Sequence, residues 1–411
     1  MTCSKKSFCA LIAVLFILCS PAYCLESRVI LGDEQFSEYI PLLEGKRVAL
    51  FSNHSGITGD NSSGEHVLDS MLERGVNVTA IFSPEHGFRG TEDAGSKISD
   101  SIDEKTGVPI LSLYAKNTHS PSKDDMKKFD VLVVDIQDVG LRFYTYYIAM
   151  YHLMNACALY DKEVIILDRP NPNGFYVDGN ILQKGYESGV GRLPIPTVHG
   201  LTLGELALMI NGEGWLSTGK DSCRLKVITC RNYTHRTKYS LIRNPSPNIK
   251  TMRAVYLYAS TCFFENTVVS VGRGTNYPFE IYGSPYLKNV KGFEFTFTPK
   301  SMTGATNPPF MNQVCYGKDL RDVNIESIWD NGINLEYLVD AYNSYKKTSS
   351  KNYFWGKADK KGRYWIDLLS GSDKLRKMIE AGKSASEIKA SWQSDIQAFK
   401  IKRKPYLLYE E

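Results

Sequence analysis

From Arg47 onward, short apolar runs suited to strands alternate with segments whose apolar residues recur at helical spacing, and few architectures accept that pattern. The runs cover residues 47–52, 76–82, 108–114, 131–136 and 163–167. Between the first two, Ser62 and Glu65 form an S-x-x-E capping box ahead of a stripe made by Val67, Leu68, Met71 and Leu72, which Gly75 ends. A short helix is expected over 124–128. A longer one carries Tyr147, Ile148, Tyr151, Met154 and Ala158, and Thr202 with Glu205 opens another bearing Leu203, Leu206, Ala207 and Ile210. Strands alternating with helices predict a parallel sheet covered on both faces. A continuous run such as Val131-Leu132-Val133-Val134 suits a strand buried on both sides. The expected fold class is therefore α/β: a Rossmann-like parallel-sheet domain over residues 25–248, then a smaller α+β domain over 249–411 that completes a cleft. Asn244-Pro245-Ser246-Pro247 marks the boundary, because two prolines punctuate the chain there. Beyond it, strands are expected around Val268 and over 293–297. A helix bearing Leu335, Leu338, Val339 and Tyr342 follows, and Ser384 with Glu387 caps a last helix carrying Ile388, Trp392, Ile396 and Phe399.

The first residues carry a different signal. Lys5 and Lys6 precede an apolar run from Phe8 to Cys19, and Ser20, Pro21 and Ala22 follow. A basic region, a short apolar core and small residues make a secretory signal. The run is shorter than the roughly 20 residues a membrane span needs. Residues 1–24 are expected to be removed, leaving an exported protein, periplasmic or secreted. Lipid attachment at Cys24 is the lesser alternative, since Tyr23 fits a lipoprotein signal poorly. Formal net charge is +4 for the 411 residues, and lower once Lys5 and Lys6 are gone, which recommends neither nucleic acid nor an anionic membrane as a partner. Of nine cysteines, Cys157, Cys223, Cys230, Cys262 and Cys315 remain after processing. That number is odd, so at least one is a free thiol or pairs with another molecule. Cys223 and Cys230 flank an expected strand over 224–229 whose ends lie roughly 20 Å apart. A disulfide needs Cα atoms within about 7 Å, so that pairing is disfavoured. The cysteines lack CxxC spacing and His54, His66 and His86 are scattered, so no metal site is expected.

Polar residues gather where the strand runs end. Asn53-His54 follows the first, Ser83-Pro84-Glu85-His86-Gly87 the second, Asp135, Gln137 and Asp138 the fourth, and Asp168-Arg169-Pro170-Asn171 the fifth. In an open parallel sheet these carboxyl ends share one edge, where ligands bind. Glu85 sits on a tight turn between Pro84 and Gly87. Glycoside hydrolysis needs a carboxylic acid to protonate the leaving oxygen and, as a rule, a second carboxylate. Burial would hold the proton on Glu85 for that task; capping a turn or pairing with Arg89 is its structural alternative. Asp135 and Asp138 are candidate second carboxylates, against helix capping and a salt bridge to Arg142. Arg142, Arg169 and Arg273 each offer a bidentate fork to a substrate carboxylate, or a structural ion pair. His86 serves as a base or orients Glu85 or a sugar. Tyr144, within Phe143-Tyr144-Thr145-Tyr146-Tyr147, lines a sugar subsite or packs in the core. Gly56, Gly59 and Gly64 do not space as G-x-G-x-x-G, and neither a P-loop nor a G-x-S-x-G elbow occurs, so no cofactor is expected.

Together these motifs resemble a known family. Ser83-Pro84-Glu85-His86-Gly87-Phe88-Arg89-Gly90, Asp135-Ile136-Gln137-Asp138-Val139-Gly140, Arg142-Phe143-Tyr144-Thr145-Tyr146 and Leu167-Asp168-Arg169-Pro170-Asn171-Pro172 look like the NamZ-type exo-β-N-acetylmuramidases, glycoside hydrolase family 171. So do His199-Gly200-Leu201-Thr202-Leu203-Gly204-Glu205-Leu206, Ser246-Pro247-Asn248, Gly272-Arg273-Gly274-Thr275 and the closing Tyr406-Leu407-Leu408-Tyr409. The resemblance runs in order over nearly the whole mature chain. It implies a Rossmann-like domain, a smaller second domain, and exo-acting release of N-acetylmuramic acid from the non-reducing ends of peptidoglycan fragments during cell-wall turnover. It makes Glu85 the leading catalytic candidate beside Asp135 and Asp138. The expected substrate-binding set is Asn53, His86, Arg142, Tyr144, Asp168, Arg169, Asn171, Glu265 and Arg273. The sequence departs from the family pattern at Asn53-His54-Ser55-Gly56, usually N-x-T-G, and at Glu265-Asn266-Thr267, usually E-G-T. A non-catalytic muropeptide binder and a Rossmann-type cofactor enzyme are the alternatives from other classes; Glu85 on its strand-end loop counts against the first and the missing glycine fingerprint against the second.

Overall fold

The computed structural model describes residues 28–59, 64–84, 88, 101–113, 120–220, 222–348 and 353–411. The apolar runs form β1 (Val48–Ser52), β2 (Val78–Ser83), a two-residue β3 (Ser101–Ile102), β4 (Pro109–Ser112), β5 (Val131–Asp135), β6 (Glu163–Leu167) and β7 (Arg224–Ile228). They make one seven-stranded sheet in the order β3-β4-β2-β1-β5-β6-β7. All neighbours are parallel except β3, which runs antiparallel on β4. Without β3, the strands follow the 3-2-1-4-5-6 order of a Rossmann sheet.

The continuous apolar runs are explained by two covered faces. Successive side chains of a strand point to opposite sides. Ala49, Phe51, Leu132, Val134, Val164 and Ile166 enter one core; Val48, Leu50, Val131, Val133, Ile165 and Leu167 enter the other. The second core is closed by Tyr39 and Leu43 of α1 (Phe36–Leu43) and by Val67, Leu68 and Met71 of α2 (Val67–Glu73). Helix α2 starts with His66 as its cap, the ring accepting the Leu68 N–H at 3.1 Å. The expected Ser62 cap lies outside the described residues. The larger core takes α3 (Lys123–Met126), α4 (Tyr146–Leu159) and α5 (Leu203–Gly212). Helix α4 is buried almost all round rather than on one stripe, as a helix wedged between a sheet and a second layer must be. The Thr202–Glu205 capping box opens α5 as expected.

The second half begins with α6 (Met252–Thr261) and holds a small antiparallel sheet of β8 (Ile281–Ser284), β9 (Phe295–Phe297) and β10 (Cys315–Asp319), with β10 central. Helices α7 (Ile325–Asn331), α8 (Glu336–Thr348), α9 (Trp365–Ser370), α10 (Lys374–Glu380), α11 (Ala385–Ala390) and α12 (Gln393–Arg403) follow. Two expectations are corrected here. Val268 lies in no strand; its N–H donates to the Phe354 carbonyl at 3.0 Å, a lone tie between two loops. The single last helix is two, α11 and α12, because Trp392 turns inward and its indole N–H donates to Asp178 at 2.9 Å. All five described cysteines are buried free thiols, Cys223 and Cys230 included.

Candidate active site

Strand order reverses between β1 and β5, so their carboxyl ends leave a crevice between loops that diverge to either side. Register sets its floor. Ser52 pairs with Asp135, Phe51 with Phe82, and Ser83 with Ser112, so Ser83, Ser52 and Asp135 stand in a row at one edge. Glu85 and His86 lie outside the described residues; β2, which leads to them, ends at Ser83. The buried Ser83 hydroxyl has no hydrogen-bond partner.

Asn53 begins the loop after β1 and is fully buried. Its carbonyl oxygen accepts from the Ser55 N–H at 2.9 Å and hydroxyl at 2.6 Å, forming a tight Asx turn. Its amide donates to the Tyr146 hydroxyl at 2.9 Å. Tyr146 and Tyr144 both donate to the Pro245 carbonyl, at 2.9 and 2.7 Å. The segment joining the two halves is thereby pinned against the sheet edge. Gly56 lets this turn close: a Cβ there would meet Ser52 Oγ at 2.3 Å and Asp135 Oδ2 at 2.9 Å.

The carboxylates at the end of β5 differ sharply. Asp135 is held by Arg169, Nε to Oδ1 at 2.6 Å and a terminal nitrogen to Oδ2 at 3.0 Å. The same guanidinium reaches Asp33 at 2.6 Å, completing a buried acid–base–acid triad. Asp138 has no cation. One oxygen accepts the Gly140 N–H at 2.7 Å, and the other is buried with no partner. Burial pushes its carboxyl up to about 7, against backbone amides at Gly140, Val139 and Tyr147 that pull it down. The competing salt bridge to Arg142 does not form: Arg142 donates to the carbonyls of Asn180, of Ile195 at 2.6 Å and of Leu369 at 2.9 Å. Fully buried without a carboxylate, its guanidinium is lowered to about 10 by desolvation.

The end of β6 is structural in geometry. Asp168 accepts from Thr202 Oγ1 at 2.6 Å, the Gly204 N–H at 2.9 Å and the Tyr409 hydroxyl at 2.7 Å. It thus fixes the start of α5 and clamps the chain's last residues. Burial raises its carboxyl to about 6 despite these donors. Asn171 donates to the Leu201 carbonyl at 2.9 Å. It abuts Gly140, where φ is +75° and a Cβ would come within 2.1 Å of its side-chain oxygen.

Glu265 and Arg273 pair in the second half, Nε to Oε1 at 2.8 Å. Their side chains remain 23% and 21% exposed, unlike those of Arg142 and Arg169. Tyr258 links them to the sheet edge: its ring lies 6.3 Å from that of Tyr144, and the Glu265 and Arg273 charges both act on its phenol. The structure therefore gathers Asn53, Asp138 and Tyr144 at the crevice, with Glu265 and Arg273 beyond. It commits Asp135, Arg142, Asp168, Arg169 and Asn171 to interior contacts. Sequence reasoning missed Asp33 and Tyr258, and it named Tyr409 as part of the closing motif without its partner Asp168, because these partners lie far along the chain. Among the described residues, no group of three or more His, Cys, Asp or Glu side chains is arranged to hold a metal ion.

Residues 48–253 match the family described as "Exo-beta-N-acetylmuramidase NamZ, N-terminal", and residues 256–409 match its C-terminal counterpart. A Bacillus subtilis (strain 168) protein, "Peptidoglycan beta-N-acetylmuramidase NamZ", is 35% identical over 396 residues, spanning 92% of this chain and 90% of its own length. A crystal structure of a DUF1343 family protein from Bacteroides fragilis NCTC 9343 superposes with a TM-score of 0.82 at 55% identity, covering 94% of this chain and 100% of that one. A second DUF1343 family protein from the same organism gives 0.78 at 29% identity, covering 93% and 99%.

Proposed function

The chain belongs to the NamZ family of exo-β-N-acetylmuramidases, and we propose that it is a glycoside hydrolase releasing N-acetylmuramic acid from the non-reducing ends of peptidoglycan fragments. The observation that carries this is the extent of the match. The family models match both halves, and a relative named as a peptidoglycan β-N-acetylmuramidase aligns over 92% of the chain.

In this proposal Glu85 is the general acid. Its proton passes to the glycosidic oxygen as the bond from the anomeric carbon breaks; water then adds its hydroxyl to that carbon, and the proton water gives up restores the acid. Asp138, once ionised, balances positive charge growing at that carbon. A carboxyl near neutral pKa with one unbonded oxygen supports that role. Arg273 recognises the lactyl carboxylate that distinguishes N-acetylmuramic acid from N-acetylglucosamine. Of the three candidate arginines it is the one with both terminal nitrogens uncommitted. Export before action is supported by Lys5, Lys6 and the apolar run after them. A native protein whose first residue follows position 24, read by mass spectrometry, is the expected result.

The test is hydrolysis of the disaccharide N-acetylmuramyl-N-acetylglucosamine and of an activated aryl β-N-acetylmuramide. Glu85→Gln should lower turnover on the disaccharide by about 100-fold to 10,000-fold, the usual contribution of a placed acid. The defect should shrink on the aryl substrate, whose leaving group needs no proton. Arg273→Ala should reduce activity on muramides selectively over the matching glucosaminide. Normal disaccharide turnover by a folded Glu85→Gln variant would refute the assignment of the acid.

A further inference from the structure

An open cavity of about 590 Å³ lies in the second half, between the turn at Asn266 and the start of α9. Its volume is that of a ligand site, which spans about 300–1,000 Å³. Tyr286, Phe310, Tyr353 and Trp365 all line it. Tyr286 and Tyr353 are 50% and 46% exposed, so hydrophobic burial does not account for their placement. Single exposed aromatics are ordinary, but rings that converge on one concavity mark a binding surface.

The polar lining narrows the ligand. Lys357 is exposed, lines the cavity and takes part in no ion pair among the described residues. The other cation, Arg363, is already neutralised by Asp359 at 2.8 Å. Flat rings that pack against the C–H faces of pyranoses, an amide at Asn266 for hydroxyl or N-acetyl groups, and one uncommitted ammonium for a carboxylate together suit an N-acetylated, acidic glycan.

The cavity adjoins the Glu265–Arg273 pair. Asn266 follows Glu265, whose carboxylate pairs with Arg273. Gly356 packs so tightly on Asn266 that a Cβ would lie 2.3 Å from its carbonyl oxygen, and the Val268 N–H bonds Phe354 at 3.0 Å. The cavity wall and the Glu265–Arg273 pair are therefore parts of one braced unit.

We propose that this cavity binds the leaving portion of the substrate, the sugars beyond the scissile bond when the terminal N-acetylmuramic acid is removed from a longer glycan. This rests on the muramidase activity proposed above. Its consequence is that the enzyme reads chain length: a substrate with sugars past the first gains contacts that an aryl glycoside lacks.

The experiment compares kcat and KM on the aryl β-N-acetylmuramide and on a peptidoglycan tetrasaccharide that begins with N-acetylmuramic acid, for wild type, Tyr353→Ala and Lys357→Ala. Both side chains are exposed, and melting curves confirm that each variant folds. Each variant should raise KM on the tetrasaccharide by about threefold to tenfold, the loss expected for one aromatic or charged contact. kcat and the aryl substrate should be unaffected. Unchanged tetrasaccharide KM in both variants, or equal shifts on both substrates, would overturn the proposal. So would weaker adhesion to intact cell wall with unchanged oligosaccharide kinetics, since the cavity would then be a wall anchor. Wild-type protein inactive on both substrates would overturn the muramidase activity itself, an outcome no cavity variant mimics.

Discussion

A buried carboxyl with an unbonded oxygen is costly unless something uses it. Asp138 is such a group, and its cost has a pH signature. An unfolded aspartate gives up its proton near pH 4, whereas folded Asp138 keeps its proton up to about 7 because burial penalises the charge. Between those values the folded state binds the additional proton, so this group's contribution to stability falls as pH rises and levels off above 7. Asp138→Asn cannot titrate, and its side-chain oxygen can still accept from Gly140. Near pH 4 the variant should melt close to wild type; by pH 8 it should melt higher, the gap opening between. Turnover should drop by about 100-fold or more in the same variant if the carboxylate acts on the reacting sugar. A gain in stability with a loss of activity marks a residue kept for chemistry. Melting curves from pH 4 to 8 beside a turnover assay decide it: a constant gap with normal turnover would remove Asp138 from the site.

Elements were legible where local pattern and tertiary burial agree. β1, β5 and β6 read as apolar runs because each is buried on both faces, and α5 announced itself through Thr202 and Glu205, three residues apart. Their ends were only half legible. Asn53 and Asp138 could be chosen because the carboxyl edge of a parallel sheet is a site in general. No local pattern could show that Arg169 spends its donors on Asp33, 136 residues away. The break between α11 and α12 was hidden likewise, since Trp392 bonds Asp178 from 214 residues away. The Arg169 triad joins the start of α1's segment to the ends of β5 and β6, and it carries an element-level prediction. Arg169→Met leaves two carboxylates buried without a cation. Removing one partner of a buried pair costs about 3–5 kcal/mol, so urea unfolding at neutral pH should show a loss of that order. The loss should shrink in acid, because burial raises the Asp33 carboxyl well above its ordinary value and it takes up a proton there. A variant as stable as wild type would mean that water reaches the triad and screens it.

At the scale of the whole molecule, the chain's two halves are not two independent structures. The larger core runs without interruption from β5 and α4 through Phe143, Tyr258 and Phe263 into α8, α9 and α12. The second half also returns repeatedly to the first. Arg142 is satisfied in part by the Leu369 carbonyl, Trp392 bonds Asp178, Arg403 donates to the carbonyls of His199 and Gly200, and Tyr409 closes on Asp168. Each tie crosses roughly the whole second half of the sequence, so cutting the chain at the Asn244-Pro245-Ser246-Pro247 boundary would expose one face of the large core and orphan several buried polar groups. Residues 28–248 produced alone should therefore aggregate or remain partly unfolded, with poorly dispersed amide resonances. The full chain should unfold in urea as one transition, with tryptophan fluorescence and far-ultraviolet circular dichroism giving the same midpoint. Trp215 lies in the first half and Trp329, Trp355, Trp365 and Trp392 in the second, so fluorescence samples both. Replacing Tyr409 by Phe should lower that shared midpoint without splitting the transition, because the clamp it loses joins parts of one cooperative unit. Two separated midpoints would show that the first half holds its core without the second, and that the crevice lies between bodies able to move apart.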